Sequence, residues 1–266
     1  MINFVFSILQ TQSFNLRFAL GIWSIFIFAS ALIIFILAIN RHKNKKNILS
    51  KNLLNTFAFY WLSTLFLSIY IWYRVFPIDL GDSRLGNPGW FYSLLKHLLY
   101  HAQFAYFCFI IGTYFLYKFS NIIFEKESIS KKKEKNAMIF AVILIAFGVF
   151  RLLFPLNNPT EIANILYGLE VWVIFYIFLT LFPIIFQGKR LLSLMDRNID
   201  YYRNIKYIVY TALIIILMMI FYILETFYNI LYGEETNIFS FLGNGFAFVG
   251  LLTAYIGFYS NPKRRK

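Results

Sequence analysis

One cysteine in 266 residues, Cys108, set inside an apolar run, excludes a disulfide framework and a thiolate metal cluster. Charge is scarce as well: Asp, Glu, Lys and Arg make up 14% of the chain, with 12 acidic residues against 25 Lys and Arg. A soluble domain carries about a quarter charged residues, so this chain has too few to coat a water-facing surface. Low-complexity tracts and Gly/Ser linkers are missing, and polar segments run to about 20 residues at most, which leaves no place for an appended soluble domain. The opening stretch MINFVFSILQTQSFNLRF lacks the basic n-region and small-residue cleavage site of a signal peptide, so its apolar run is expected to be retained as a helix. There is no P-loop, no G-x-S-x-G and no Ser/His/Asp set at matched depth, and ordinary hydrolase chemistry therefore has no carrier. No internal repeat is visible.

What is present is hydrophobic: 60% of residues are apolar and 21% aromatic. The composition predicts an all-α integral membrane protein. Segments of about 20 apolar residues, enough to cross a hydrocarbon core of roughly 30 Å, can be placed seven times, at 15–39, 53–75, 91–117, 137–155, 163–186, 208–232 and 239–259. The segments between them alternate in charge. RHKNKKNILSK, KFSNIIFEKESISKKKEKN, QGKRLLSLMDRNIDYYRNIK and the tail NPKRRK hold five, six, five and four cations, 20 of the 25, whereas FPIDLGDSRLGNPGW, LNNPTEI and GEETN hold only Arg84. The positive-inside rule then predicts a single seven-helix bundle over residues 1–266, with the N-terminus outside and the C-terminus cytoplasmic, in the cell membrane. The net charge of +13 invites a nucleic-acid partner, but no folded soluble face exists to present it. The basic segments are expected to orient the chain, to meet anionic headgroups and to offer a docking surface to a cytoplasmic signalling protein.

Ionisable residues inside spans cost roughly 2.5–3.5 kcal/mol each near a helix centre and so turn toward the protein interior. The third span holds Lys96, His97, Tyr100, His101 and Gln103; the second Tyr70 and Arg74; the fourth Arg151; the fifth Tyr167 and Glu170; the sixth Tyr222, Glu225 and Asn229. At about 1.5 Å of rise per residue, Lys96 and His97 sit roughly 8 Å below the outer surface and His101 roughly 15 Å. All of these groups fall in the outer half of the bilayer, while the inner half offers Asn, Ser, Thr and Tyr, such as Asn55, Ser63, Thr64 and Thr211. Lys96, His97, Tyr100, His101, Gln103, Arg151, Glu170, Glu225 and Asn229 are therefore expected to line an outward-facing polar pocket. The competing reading is an interhelical ion-pair and hydrogen-bond network that fixes packing.

The same residue types bear on other chemistries. His97 and His101, at i and i+4, with Glu170 and Glu225, have the makings of a zinc-type site of a metal-dependent enzyme acting on lipid-like substrates, but the H-x-x-x-H pattern lacks a catalytic Glu and Lys96 would repel the cation. Bis-histidine haem ligation from facing helices fails because both membrane histidines share one span, and His42 lies in a basic segment. Retinal fails because the last span, IFSFLGNGFAFVGLLTAYIGFY, has no lysine. No cofactor is predicted. A proton- or ion-coupled transporter would use Glu170, Glu225 and His101, with the Gly243, Asn244, Gly245 stretch or Pro183 as a bend.

The chain leaves its last span as YIGFYSNPKRRK, a proline and basic residues at the cytoplasmic boundary. In this, and in its seven-span topology, it resembles prokaryotic seven-helix sensor and receptor modules. That resemblance implies a ligand-sensing bundle, and a chain ending at Lys266 would pass its signal to a separate partner. The third span ends YFLYKFS without the acidic-Arg-aromatic triplet of G-protein-coupled receptors, so no functional residue is carried over from those. The function expected from the sequence is a receptor-like protein that senses a small ligand or ion from outside.

Overall fold

The computed structural model describes residues 2–76, 103–124, 127–153, 169–196, 200–232 and 238–259, with side chains for these except 2–14, 127–130, 152–153, 170, 200–201, 229–232 and 258–259. Among the described residues are seven helices and no strand: α1 Ile2–Lys45, α2 Ile48–Val75, α3 Gln103–Phe124, α4 Glu127–Leu153, α5 Leu169–Leu194, α6 Asp200–Tyr232 and α7 Ile238–Tyr259. All but α4 contain a stretch long and apolar enough to cross a membrane. The N-terminal turns of α4 carry Lys131, Lys132, Lys133, Glu134 and Lys135, and its apolar run begins only at Ala137. The chain is thus a membrane-embedded helical bundle, the architecture hydrocarbon demands when each backbone N–H and C=O must be satisfied within its own segment.

The basic segments are more helical than their polarity implies. α1 continues through Lys43 and Lys45, α5 through Lys189 and Arg190, and α6 has begun before Arg203 and Lys206. Lys and Arg are good helix formers, and cations at a helix C-terminus suit its dipole, so nothing unwinds the chain as it leaves the apolar zone. Only two residues join α1 to α2. Lys46 takes the left-handed φ of 41° that ends α1, and Asn47 caps α2, accepting from the Ser50 N–H at 2.7 Å while its own N–H donates to Ser50 Oγ at 3.2 Å.

Helix neighbours follow α1–α2–α3–α5–α6–α7 and back to α1, a closed ring, with α4 packed outside on α3 and α5. Side-chain registers set the directions. Phe66 meets Phe104 and Phe59 meets Phe115, so α2 and α3 are antiparallel. Phe221 meets Phe246 and Thr211 meets Thr253, so α6 and α7 are too. Phe107 with Gly148 and Lys118 with Glu134, and Phe140 with Tyr176 and Phe147 with Trp172, give the same result for α4 against α3 and α5. One end of the bundle therefore collects the helix termini that bear the Lys and Arg clusters; we call it the basic end.

The most deeply buried face belongs to α5. Leu169, Val173, Tyr176, Ile177, Leu181 and Ile184 are at most 1% exposed, at spacings of three and four, while Phe175, Leu179, Phe182 and Phe186 point outward. α5 runs unbroken through Pro183, and α7 through Gly243, Asn244 and Gly245. Close helix approach is bought with glycine: Tyr60 of α2 lies over Gly112 of α3, Phe107 over Gly148, and Tyr222 over Gly243. A Cβ at Gly112 would stand 2.6 Å from the Tyr60 ring, and one at Gly245 would meet nothing within 4 Å. Gly112→Val is accordingly expected to lose about 1–3 kcal/mol by overpacking, whereas Gly245→Ala should gain up to about 1 kcal/mol of helix stability. Thermal unfolding of the detergent-solubilised variants checks both; equal melting temperatures for the pair would contradict the register assigned to α2 and α3.

Candidate functional site

Inside the ring, α1, α2, α3, α6 and α7 enclose a cavity of about 300 Å³, and Arg151 reaches its wall from α4. Along α6 its lining runs from Thr211 to Thr226, roughly 22 Å at about 1.5 Å per residue. It therefore extends toward the basic end well past the outer half to which the sequence assigns the polar pocket.

The end away from the basic segments is charged. Tyr70 and Arg74 enter from the last turns of α2, Gln103 from the start of α3, Arg151 from the end of α4, Tyr222 and Glu225 from α6 and Asn244 from α7. Alternating helix direction makes this convergence possible, since C-terminal parts of even-numbered helices and N-terminal parts of odd-numbered ones share that end. The Arg74 Nη1 donates to Tyr70 OH at 3.0 Å, with the guanidinium 5.4 Å from the ring centroid. Ser240 Oγ donates to Glu225 Oε1 at 2.6 Å, and Asn244 Nδ2 to the Ser240 carbonyl at 2.8 Å. Gln103 and Asn244, 3% and 2% exposed, bring side-chain oxygens that have no hydrogen-bond partner among the described residues.

Toward the basic end the wall becomes apolar, with Ile27, Phe57, Ile215, Met219, Leu251 and Ala254. The hydroxyls at these levels are committed elsewhere. Ser63 Oγ donates to the Ala105 carbonyl at 2.8 Å, Thr64 Oγ1 to the Trp61 carbonyl at 2.8 Å and Thr211 Oγ1 to the Tyr207 carbonyl at 2.9 Å, so each has committed its proton to a backbone carbonyl.

Of the residues singled out from sequence, Gln103, Arg151 and Glu225 line this one cavity, as do Tyr70, Arg74 and Tyr222. Lys96, His97, Tyr100 and His101 lie outside the described residues, and so does Tyr167. Glu170 and Asn229 fall on α5 and α6, their side chains outside the description. A zinc site built on His97 and His101 is thus not placed, and among the described residues no three His, Cys, Asp or Glu side chains gather. Sequence reasoning missed Ser240 and passed Asn244 over as part of a glycine bend. Their i, i+4 spacing on α7, opposite Glu225, was the available signal.

A second polar group lies between α2, α3 and α5 nearer the basic end. Asn52, Thr56 and Tyr60 recur every four residues on α2, and Thr113, Tyr117 and Asn121 every four on α3; all six are buried, and Tyr60 OH and Thr113 Oγ1 are 3.3 Å apart. The same register sets Asn52 level with Asn121. Both amide nitrogens, and the hydroxyl of fully buried Tyr176, have no partner among the described residues. This level of the bundle is therefore rich in buried, uncharged polar side chains. Replacing a buried, unpaired amide by an apolar group of similar size removes a desolvation cost of about 1–3 kcal/mol. Asn121→Leu is expected to hold or raise the melting temperature in detergent; a fall of several degrees would show that this amide carries a stabilising bond.

No family model, no curated protein and no solved structure matches the chain, so its cavity has to be interpreted from its own chemistry.

Proposed function

We propose that the protein is a receptor-like, seven-span membrane protein that takes a small ligand into this cavity from outside the cell and passes a helix shift to its cytoplasmic basic segments. The single observation that carries the proposal is the gathering of Arg74, Gln103, Arg151, Glu225 and Asn244, from five helices, around one cavity at the end opposite the Lys and Arg clusters. A cavity of about 300 Å³ bordered by these residues supports a binding site over a role in packing alone. The positive-inside rule supports an outer location for that end, with the N-terminus outside and α4 as the seventh span. The basic extensions of α1, α5 and α6 supply the surface for a cytoplasmic partner, each being continuous with a helix that borders or closes the ring.

A second reading, transport, is favoured by one feature: the cavity lining reaches Thr211 and Ala254, past the middle of α6 and α7. Flux through the protein in sealed vesicles would select it.

The receptor reading predicts that a small-molecule panel, screened by thermal shift on the purified chain in nanodiscs, contains compounds that raise its melting temperature by several degrees. Glu225→Gln should abolish that shift without lowering the melting temperature of the unliganded protein by more than a few degrees. A variant with unchanged folding and unchanged response to every active compound would sink the proposal.

A further inference from the structure

The demands that the cavity makes on an occupant come from its uncharged polar atoms. Arg74 and Arg151 have partners of their own, and Glu225 accepts from the Ser240 hydroxyl. Three other lining residues end in atoms that bond nothing: Gln103 Oε1 on α3, Tyr222 OH on α6 and Asn244 Oδ1 on α7 have no hydrogen-bond partner among the described residues. The Asn244 amide has only one consistent orientation, because its Nδ2 donates to the Ser240 carbonyl at 2.8 Å. Its orphan end is therefore an acceptor that lacks a donor. Buried polar atoms are nearly always bonded, and leaving one unbonded costs stability. Toward the basic end the wall is apolar, with Phe57, Ile215, Met219 and Leu251, and its lining extends roughly 22 Å along α6 for a volume of about 300 Å³, which suits one alkyl chain.

We infer, taking the cavity to be the ligand site, that its occupant is an uncharged single-chain amphiphile whose head donates hydrogen bonds, as the glycerol of a monoacylglycerol does. The head lies among Gln103, Tyr222 and Asn244 and the tail runs along the apolar wall. Two glycerol hydroxyls donate to the two amide oxygens, and the ester carbonyl accepts from the Tyr222 hydroxyl, so each orphan atom gains a partner of the right polarity. A fixed charge on the head would lose its hydration without meeting a counterion among these three uncharged groups. A wholly apolar ligand would leave the three atoms unbonded. A wholly polar one would forgo dispersion and apolar burial along the rest of the wall.

The test uses the full chain in nanodiscs and measures saturable binding of 1-decanoylglycerol above that to empty discs. Its di-O-methyl ether keeps the tail and the ester but has no hydroxyl, and should bind about tenfold more weakly or worse, the loss expected when buried acceptors stay unmet. Glycerol monoacetate, which lacks the tail, should lose at least as much. Decanoate and decyltrimethylammonium, which put a charge on a tail of similar length, should each bind more weakly than the glyceride. Gln103→Leu should weaken the glyceride by a similar factor and the ether not at all; an unliganded melting temperature within a few degrees of wild type shows that the variant is folded. The comparison of glyceride with ether is made on the unaltered protein and decides the matter even where the variant does not fold. An ether that binds as tightly as its parent, a charged compound that binds more tightly, a folded Gln103→Leu that binds the glyceride like wild type, or no saturable binding of 1-decanoylglycerol would each overturn the inference. None of these results would touch the ligand-site proposal, which stands or falls on the Glu225→Gln thermal shift with whichever compound is active.

Discussion

The half-buried carboxylate of Glu225, set within a membrane-spanning helix, constrains the rest of the bundle. In hydrocarbon such a group is tolerated only facing the protein interior, with donors and countercharge supplied by other helices. Ser240 donates to it from α7, and Arg74 of α2 borders the same cavity, so three helices bring polar side chains to one level. Arg151 and Gln103 extend that level to α4 and α3. Helix directions, ring order and the position of the cavity are consistent with this one meeting point.

Away from that level the bundle is held by shape. Rings set over glycines bring α2 to α3 and α6 to α7, and the buried face of α5 closes the ring next to α3. Hydroxyls there bond backbone carbonyls of their own or neighbouring helices, which lets Ser and Thr line an apolar wall at little cost. The Asn52–Tyr60 ladder joins the cavity to the basic end without using a charge. A ligand that changed how Tyr60 seats over Gly112 would alter the α2–α3 contact along the whole of that ladder, a route by which a pocket at one end can be felt at the other.

The helical, membrane-embedded architecture was legible because spans of about 20 apolar residues have few alternatives in lipid. Linker structure was not: polarity marks where a chain leaves hydrocarbon, not where its helix stops, and the Lys-rich ends of α1 and the start of α6 stay helical. Arg151 and Glu225 stood out by the cost of charge in a span, and both reach the cavity wall. Asn244 and Ser240 did not, because uncharged polar residues are common between membrane helices and only the register with Glu225 gives them meaning. The cavity's extension to Thr211 was hidden as well, since a threonine bonded to its own helix reads as polar in sequence and behaves as apolar in place.

The proposed function requires that this cavity be reached from the end away from the basic segments. Thiol labelling tests it most directly. In a Cys108→Ser background, Thr226→Cys on the cavity wall and Ile33→Cys on an outward face of α1 are exposed to a membrane-impermeant maleimide, in vesicles of either orientation. Maleimide needs a hydrated thiol. The account predicts that Thr226→Cys reacts from the side opposite the basic segments, much faster than Ile33→Cys from either side. Reaction of Thr226→Cys only from the basic side, or no faster than Ile33→Cys, would contradict it.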